Sequence, residues 1–411
     1  MKRAWWLVCL VVIALPATAQ RRRAVEEPPA FSVCSEGSGA FTTLTPVETD
    51  AIVKAAASAL NTNTATIAVV DRPGHILALF RQPAAGAAND DQAVGVARTA
   101  AFFSHNMAPL SSRTVRFISG VHFPPGVVNA PNAALYGIEN TNRGCDLGVV
   151  FNLGKSVPAA KAVTGGIGPG IVTGKLQPDD GPYPQDPFNR TVNAGGIPLY
   201  RGGKLIGGIG VVGISGDPQL AEFAAVTGAF GAPGIVPVPA YPLPEPGNVF
   251  IDGIRLPFLG PDQKLRFDSS GGPVGLERPA GTQAGTAAGA YVPGFTTLPG
   301  RCADNEYLAG PRAGSLLTQT QVDTVVQRAI TVAKKTRGII RLPLNSYARM
   351  VIAVGDTNGD ILALYRMPDA TVFSIDVAVA KARNVVAFTK SGLPGVAAGT
   401  AITNRTIGFG A

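Results

Sequence analysis

The three histidines of this chain, His75, His105 and His122, are its first candidates for chemistry. A neutral imidazole is a common metal ligand and carries protons near neutral pH. His75 leaves the turn of the segment VVDRPGHILALFR, His105 follows an Ala-rich helical stretch, and His122 lies in FISGVHFPPG, which reads as a loop. Each has a structural alternative. A His beside a turn can simply hydrogen-bond to backbone, and His105 can complement the C-terminal end of a helix. Met107, Tyr136, Tyr183 and Tyr200 could also ligate iron, yet single residues of these types usually serve packing or surface. Arg81 and Arg98 could grip a carboxylate through two parallel hydrogen bonds. Arg366 and Arg383 repeat both positions, so structural ion pairs with Asp91 and Asp376 explain them equally well.

Other chemistries find no machinery. Gly208, Gly210 and Gly213 satisfy G-x-G-x-x-G, but a dinucleotide site needs that pattern between a strand and a helix of a βαβ unit. Here the glycines fall within a hairpin sequence, where they permit a bulge or a close backbone approach. There is no G-x-S-x-G elbow, no H-E-x-x-H and no C-x-x-C, so hydrolase and zinc-ribbon readings fail.

The elements that must position these residues come twice. Residues 66–103 align without a gap on 351–388 with 18 identities in 38 positions, too many for shared composition, so the chain carries an internal repeat. Each copy opens on a helix: Thr45, Pro46 and Glu48 cap the first, and Thr318 and Gln321 take the same roles in the second. Strands Ile67 to Val70 and Ile76 to Phe80 flank a turn made by Asp71, Arg72, Pro73 and Gly74, and Asp356 to Gly359 repeat it. A second helix shows a face of small residues through Val94, Ala97 and Ala101, with its counterpart through Val379, Ala382 and Val386. Only the first copy continues into GGIPLYRGGKLIGGIGVVGISG, a hairpin turning at Arg201 to Lys204, followed by a helix capped by Asp217 and Pro218. The order helix, hairpin, helix, hairpin, helix predicts an antiparallel sheet flanked by helices, an α+β fold, and not a doubly wound parallel sheet.

Around this repeat the chain divides as follows. Residues 1–19, with Lys2 and Arg3 before an apolar run that is shorter than the ~20 residues of a membrane span, read as a secretory signal peptide. A tail occupies 20–40, copy 1 spans 41–230 with an insertion at about 107–194, a Pro- and Gly-rich linker covers 231–315, and copy 2 spans 316–411. The expectation is an exported protein, periplasmic or secreted, with no membrane span. The net charge of +8 includes Arg21 to Arg23, and no aromatic-interleaved basic stripe follows, which argues against nucleic acid as a partner. Without Cys9 of the signal, Cys34, Cys145 and Cys302 cannot all pair within one chain. Copy 2 lacks the closing hairpin before Ala411, so it is expected to be incomplete. Cys34 is expected to bond Cys145, with a partner for Cys302 in further sequence, and other pairings stay open.

The first helix, VVDRPGHILALFR, the Ala-rich helix with Arg98, and the glycine-rich hairpin followed by Asp217 and Glu222 together resemble the GlcG/HbpS haem-binding family. That resemblance implies a profilin-like domain, an antiparallel sheet flanked by helices, in tandem copies. It also implies haem or a related tetrapyrrole as ligand, often in homo-oligomers, with slow haem degradation or iron and redox sensing in some members. His75 stands at the family's own position as candidate axial ligand. Copy 2 departs from the pattern, with Asp360 in place of that histidine. The competing reading is a structural or interaction protein whose domains mediate assembly without a cofactor.

Overall fold

The computed structural model describes residues 43–116, 177–178, 191–192, 194–214, 217–239, 249–251, 254–260, 263–270, 272–300, 306–338, 341, 345–392 and 395–404. The expected signal peptide and tail, His122, Tyr136, Tyr183, every cysteine and most of the insertion lie outside the described residues.

Copy 1 begins with α1 (Pro46–Ser58), which starts where its capping box closes: the Thr45 hydroxyl accepts the Glu48 N–H at 3.3 Å and the Glu48 carboxylate accepts the Thr45 N–H at 2.9 Å. Strands β1 (Thr66–Asp71) and β2 (Ile76–Arg81) form the first hairpin, followed by α2 (Asp90–Phe103) and the short α3 (Ser112–Arg116). Two-residue strands β3 (Gln177–Pro178) and β4 (Thr191–Val192) pair with each other. The glycine-rich hairpin is β5 (Gly196–Arg201) and β6 (Lys204–Val212), turning through Gly202 and Gly203, both at positive φ. Helix α4 (Pro218–Ala229) follows, capped by Asp217, and then β7 (Ile235–Val236).

The linker contributes the small hairpins β8 (Val249–Ile251) with β9 (Ile254–Leu256) and β10 (Leu265–Phe267) with β11 (Pro273–Leu276), then β12 (Ala290–Tyr291). Copy 2 holds β13 (Glu306–Ala309), α5 (Gln319–Ala333), β14 (Val351–Gly355), β15 (Ile361–Arg366) and α6 (Ser374–Ser391). Its first helix repeats the capping box with Thr318 and Gln321.

Six strands of copy 1 and the linker form one antiparallel sheet in the order β12-β2-β1-β6-β5-β7. Successive residues of a strand point to opposite faces. Ile67 and Val69 accordingly enter the core under α1 and α4, while Ala68 and Val70 face α2. Helix α2 lies almost directly on the sheet backbone: a Cβ on Gly208 would stand 2.4 Å from the Ala97 carbonyl oxygen, and one on Gly210 would stand 2.2 Å from that of Ala93. The G-x-G spacing therefore serves helix-on-sheet packing.

The linker is no free tether. It runs along β2, with the Val292 N–H donating to Leu79 O and the Leu298 N–H to Leu77 O, each at 2.8 Å. Covering that strand removes an exposed edge of the kind that templates aggregation. In copy 2, β14 and β15 repeat the first hairpin down to its irregularity, which falls between Val69 and Val70 in one copy and between Val354 and Gly355 in the other. The second sheet has the order β13-β15-β14, so among the described residues no strand pairs with the outer edge of β14. The copies meet through one shared hydrophobic cluster, in which Phe103 and Phe373 stack at 4.1 Å.

The glycine packing makes a direct test. Replacing Gly210 by Ala should destabilise the chain by about 1–3 kcal/mol through overpacking, whereas Gly86, at ordinary φ with open space around its Cβ position, should accept Ala within about 0.5 kcal/mol. Denaturant midpoints of the two variants check this.

Candidate functional site

The β1–β2 turn builds the site. Asp71 ends β1, and its carboxylate accepts the His75 backbone N–H at 2.7 Å, which closes the turn over Gly74 at a φ of 94°. The same carboxylate holds the His75 ring, with Nδ1 at 3.1 Å from Oδ2 and 3.2 Å from Oδ1. This pairing assigns the proton of the neutral ring to Nδ1 and leaves Nε2 as the basic nitrogen. A carboxylate behind one nitrogen is the usual support for a metal-ligating imidazole, because it fixes both tautomer and ring orientation. Of the two described histidines, His75 is the one within reach of solvent, its side chain 17% exposed against 1% for His105.

Arg98 steadies this turn from behind. It is buried in α2, and its Nε donates to the Gly74 carbonyl at 2.9 Å. Burial pulls its pKa below the usual guanidinium range, against the opposing pull of Asp71 and Asp91. Copy 2 repeats the bond, from Arg383 to the Gly359 carbonyl at 2.8 Å, in a turn that has no histidine. Arg98 is thus a positioning residue for the turn. Arg81 is committed as well, its Nε 2.8 Å from Asp90 Oδ1 and its Nη2 bonded to Oδ2. Its partner is Asp90, one residue before the Asp91 suggested by the repeat.

The remaining candidates are placed elsewhere. His105 follows the C-terminal end of α2 and is enclosed where the copies meet. Its Nδ1 accepts the Met107 N–H at 3.2 Å and lies 3.3 Å from Arg341 Nη1. A backbone N–H can only donate, so Nδ1 is the acceptor in that contact. The Tyr200 hydroxyl is buried and donates to the carbonyls of His105 and Ala108 at 3.0 and 3.3 Å, and burial raises its pKa. Met107 sits half-buried between His105 and Ala108. His75 and His105 therefore do different work, one on an accessible turn and one in a joint.

That joint escapes sequence reasoning altogether. Asp369 of copy 2, at a φ of 61°, receives Arg72 Nη2 at 2.8 Å and the Asn106 N–H at 3.0 Å on Oδ1, and Arg341 Nη1 at 2.9 Å on Oδ2. Burial alone would raise the Asp369 pKa. Arg72, His105 and Arg341 beside it and the Asn106 N–H outweigh it and hold the carboxyl well below its usual range. A second unforeseen pair joins α3 to α4, where Arg113 Nε lies 2.6 Å and Nη2 3.1 Å from the two oxygens of Glu222, both side chains buried. Asp71 itself was legible as a turn former. Its second role could have been read from an acid four residues before a histidine across a tight turn.

Copy 2 shows what the histidine changes. Asp356 occupies the Asp71 position, but Asp360 cannot donate a ring proton to it. The Asp356 carboxylate accepts the N–H groups of Ser315 at 2.9 Å and Thr357 at 2.7 Å. Those bonds hold its pKa down against the raising effect of burial.

The model of a family described as haem degrading protein HbpS-like matches residues 47–225 and 317–394, more than half of the chain and one region in each copy. Among solved structures, the crystal structure of a PduOC:heme complex is similar at 20% identity and a TM-score of 0.28, covering 48% of this chain and 99% of that one. The Klebsiella pneumoniae protein ORFY, a DUF336 structure, is similar at 18% identity and a TM-score of 0.28, covering 48% of this chain and 96% of its own. No curated protein matches.

The Asp369 joint predicts a pH signature. Asp369→Asn leaves Arg72 and Arg341 without their counter-charge and should cost about 3 kcal/mol at neutral pH. A carboxyl whose folded pKa is depressed contributes its stability above the unfolded pKa and loses it as pH falls through the folded value. The gap between the two proteins should therefore narrow below about pH 4. Denaturant unfolding at neutral and acid pH measures it.

Proposed function

The chain belongs to the HbpS-like haem-degrading protein family, and on that premise we propose that it is an exported haem-binding protein whose ligand sits on copy 1 at His75. The Asp71–His75 pair carries this reading, because it presents an imidazole whose Nδ1 is held by a carboxylate on a turn that solvent reaches. Haem, when bound, would supply an iron centre for ligand and redox chemistry, and the His75 imidazole would hold it. What the protein adds is orientation: Asp71 holds the ring, Arg98 holds the turn, and α2 holds Arg98.

Export is supported by the sequence MKRAWWLVCLVVIALPATAQ, with its basic start, short apolar run and small residues before Gln20. Copy 2 is assigned a structural part. Its turn replaces the histidine by Asp360, while its Asp369 and Phe373 pack against copy 1.

Titrating haemin into the full chain and following the Soret band tests this. One haem per chain is expected. His75→Ala should weaken binding at least ~10-fold, since losing a ligand bond costs more than the ~1.4 kcal/mol that factor represents. Asp71→Asn, which removes the charge behind the ring, should weaken it by about 10-fold. An unchanged affinity and spectrum in His75→Ala would overturn the assignment.

A further inference from the structure

The turn that carries His75 is tied to copy 2 as well as to its own domain. Within copy 1 the Asp71 carboxylate accepts the His75 N–H at 2.7 Å, and Arg98 Nε reaches the Gly74 carbonyl at 2.9 Å. Arg72, one residue after Asp71 and three before His75, adds a third anchor. Its side chain is 6% exposed, and its Nη2 donates to Asp369 Oδ1 at 2.8 Å. Asp369 is itself fixed. Arg341 donates through Nη1 to Oδ2 at 2.9 Å and through Nη2 to the Asp369 carbonyl, while the Asn106 N–H donates to Oδ1 at 3.0 Å.

The pair runs in one direction. At the repeat offset, Thr357 stands where copy 1 has Arg72, and Ala84 stands where copy 2 has Asp369. The arginine is therefore in the turn that has the histidine, and the acid is in the copy whose turn has Asp360 instead. Thr357 donates its N–H to Asp356 at 2.7 Å, inside its own turn. The stacked Phe103 and Phe373 join the copies without touching the turn, whereas the Arg72 bond carries the docking into it.

We propose, on the reading that His75 holds haem, that Asp369 is a positioning residue for His75, acting through Arg72. Copy 2 thereby sets the geometry of the haem-holding turn of copy 1. The gain is preorganisation, because a turn ordered before its ligand arrives has less conformational entropy to lose on binding. Removing the tether loosens the Gly74 and His75 backbone in the ligand-free chain and weakens haemin binding, although Asp71 is still present behind the ring.

Arg72→Met tests this, since it keeps the buried stem, removes the guanidinium and leaves Asp369 its bonds to Arg341 and the Asn106 N–H. Hydrogen exchange of the ligand-free full chain reads the turn directly: the Gly74 and His75 N–H groups, both bonded to Asp71, should exchange at least ~5-fold faster than in the parent chain. Haemin titrated into the same variant should bind about 5-fold more weakly, a smaller loss than that of Asp71→Asn because Arg72 acts one step further from the ring. Asp369→Asn should give both changes, and the double variant should lose no more affinity than the weaker-binding single one, as expected of one shared contact. Val326→Ala, which opens a cavity in the separate core of copy 2, should lower the denaturant midpoint and leave turn exchange and haemin affinity as they were. Unchanged turn exchange in Arg72→Met overturns the proposal, as does an equal loss of haemin affinity in Val326→Ala. So does unchanged haemin affinity in Arg72→Met where His75→Ala weakens it. If His75→Ala itself leaves haemin binding unchanged, the assignment of His75 fails, and the positioning role falls with it whatever the exchange rates.

Discussion

The backbone approach of α2 to the sheet at Gly208 and Gly210 is the contact on which the rest of this structure depends. Carbonyl oxygens of α2 stand where the Cβ atoms of Gly208 and Gly210 would be, so the depth of the helix is set by backbone and not by adjustable side chains. From that depth Arg98 reaches the Gly74 carbonyl. The turn it holds is the one that Asp71 closes and His75 leaves. Each step has little slack, because close-packed interiors transmit a displacement where a fluid one would absorb it.

The duplication lets the same scaffold be seen with and without its chemistry. Both copies keep the bulged hairpin, the acid at its end and the arginine bonded to the turn carbonyl. Of the turn positions at which they differ, the one that bears on the chemistry is that of His75. With histidine there, the acid supports an imidazole. With Asp360 there, the acid turns to the N–H groups of Ser315 and Thr357. The turn is thus a structural unit that survives loss of its reactive side chain, which explains how copy 2 can persist as a packing partner.

Packing of the copies is mixed in kind. Phe103 and Phe373 supply apolar area, and the Asp369 cluster supplies a charged register in which one carboxylate answers two guanidinium groups. Such buried charges contribute little net stability compared with an apolar contact, but a shifted register would leave a guanidinium buried and alone. The cluster therefore favours one arrangement of the copies over neighbouring ones.

The repeat, the helix caps, both hairpins of copy 1 and the antiparallel sheet were legible in the residues. All depend on local rules: Thr45 with Glu48, Gly202 with Gly203, and an apolar run from Ile67 to Val70 that ends in turn residues. His75 was legible as a candidate for the same reason, since its turn is local. The roles of Arg98, His105 and Tyr200 were not. Their types allow ligation, and only the fold buried each one against a backbone partner distant in sequence or enclosed between copies. Arg72, Arg341 and Asp369 carry no shared motif because they come from three separate turns and loops. The docking of the two copies brings them together, and no spacing rule within a single segment can express it.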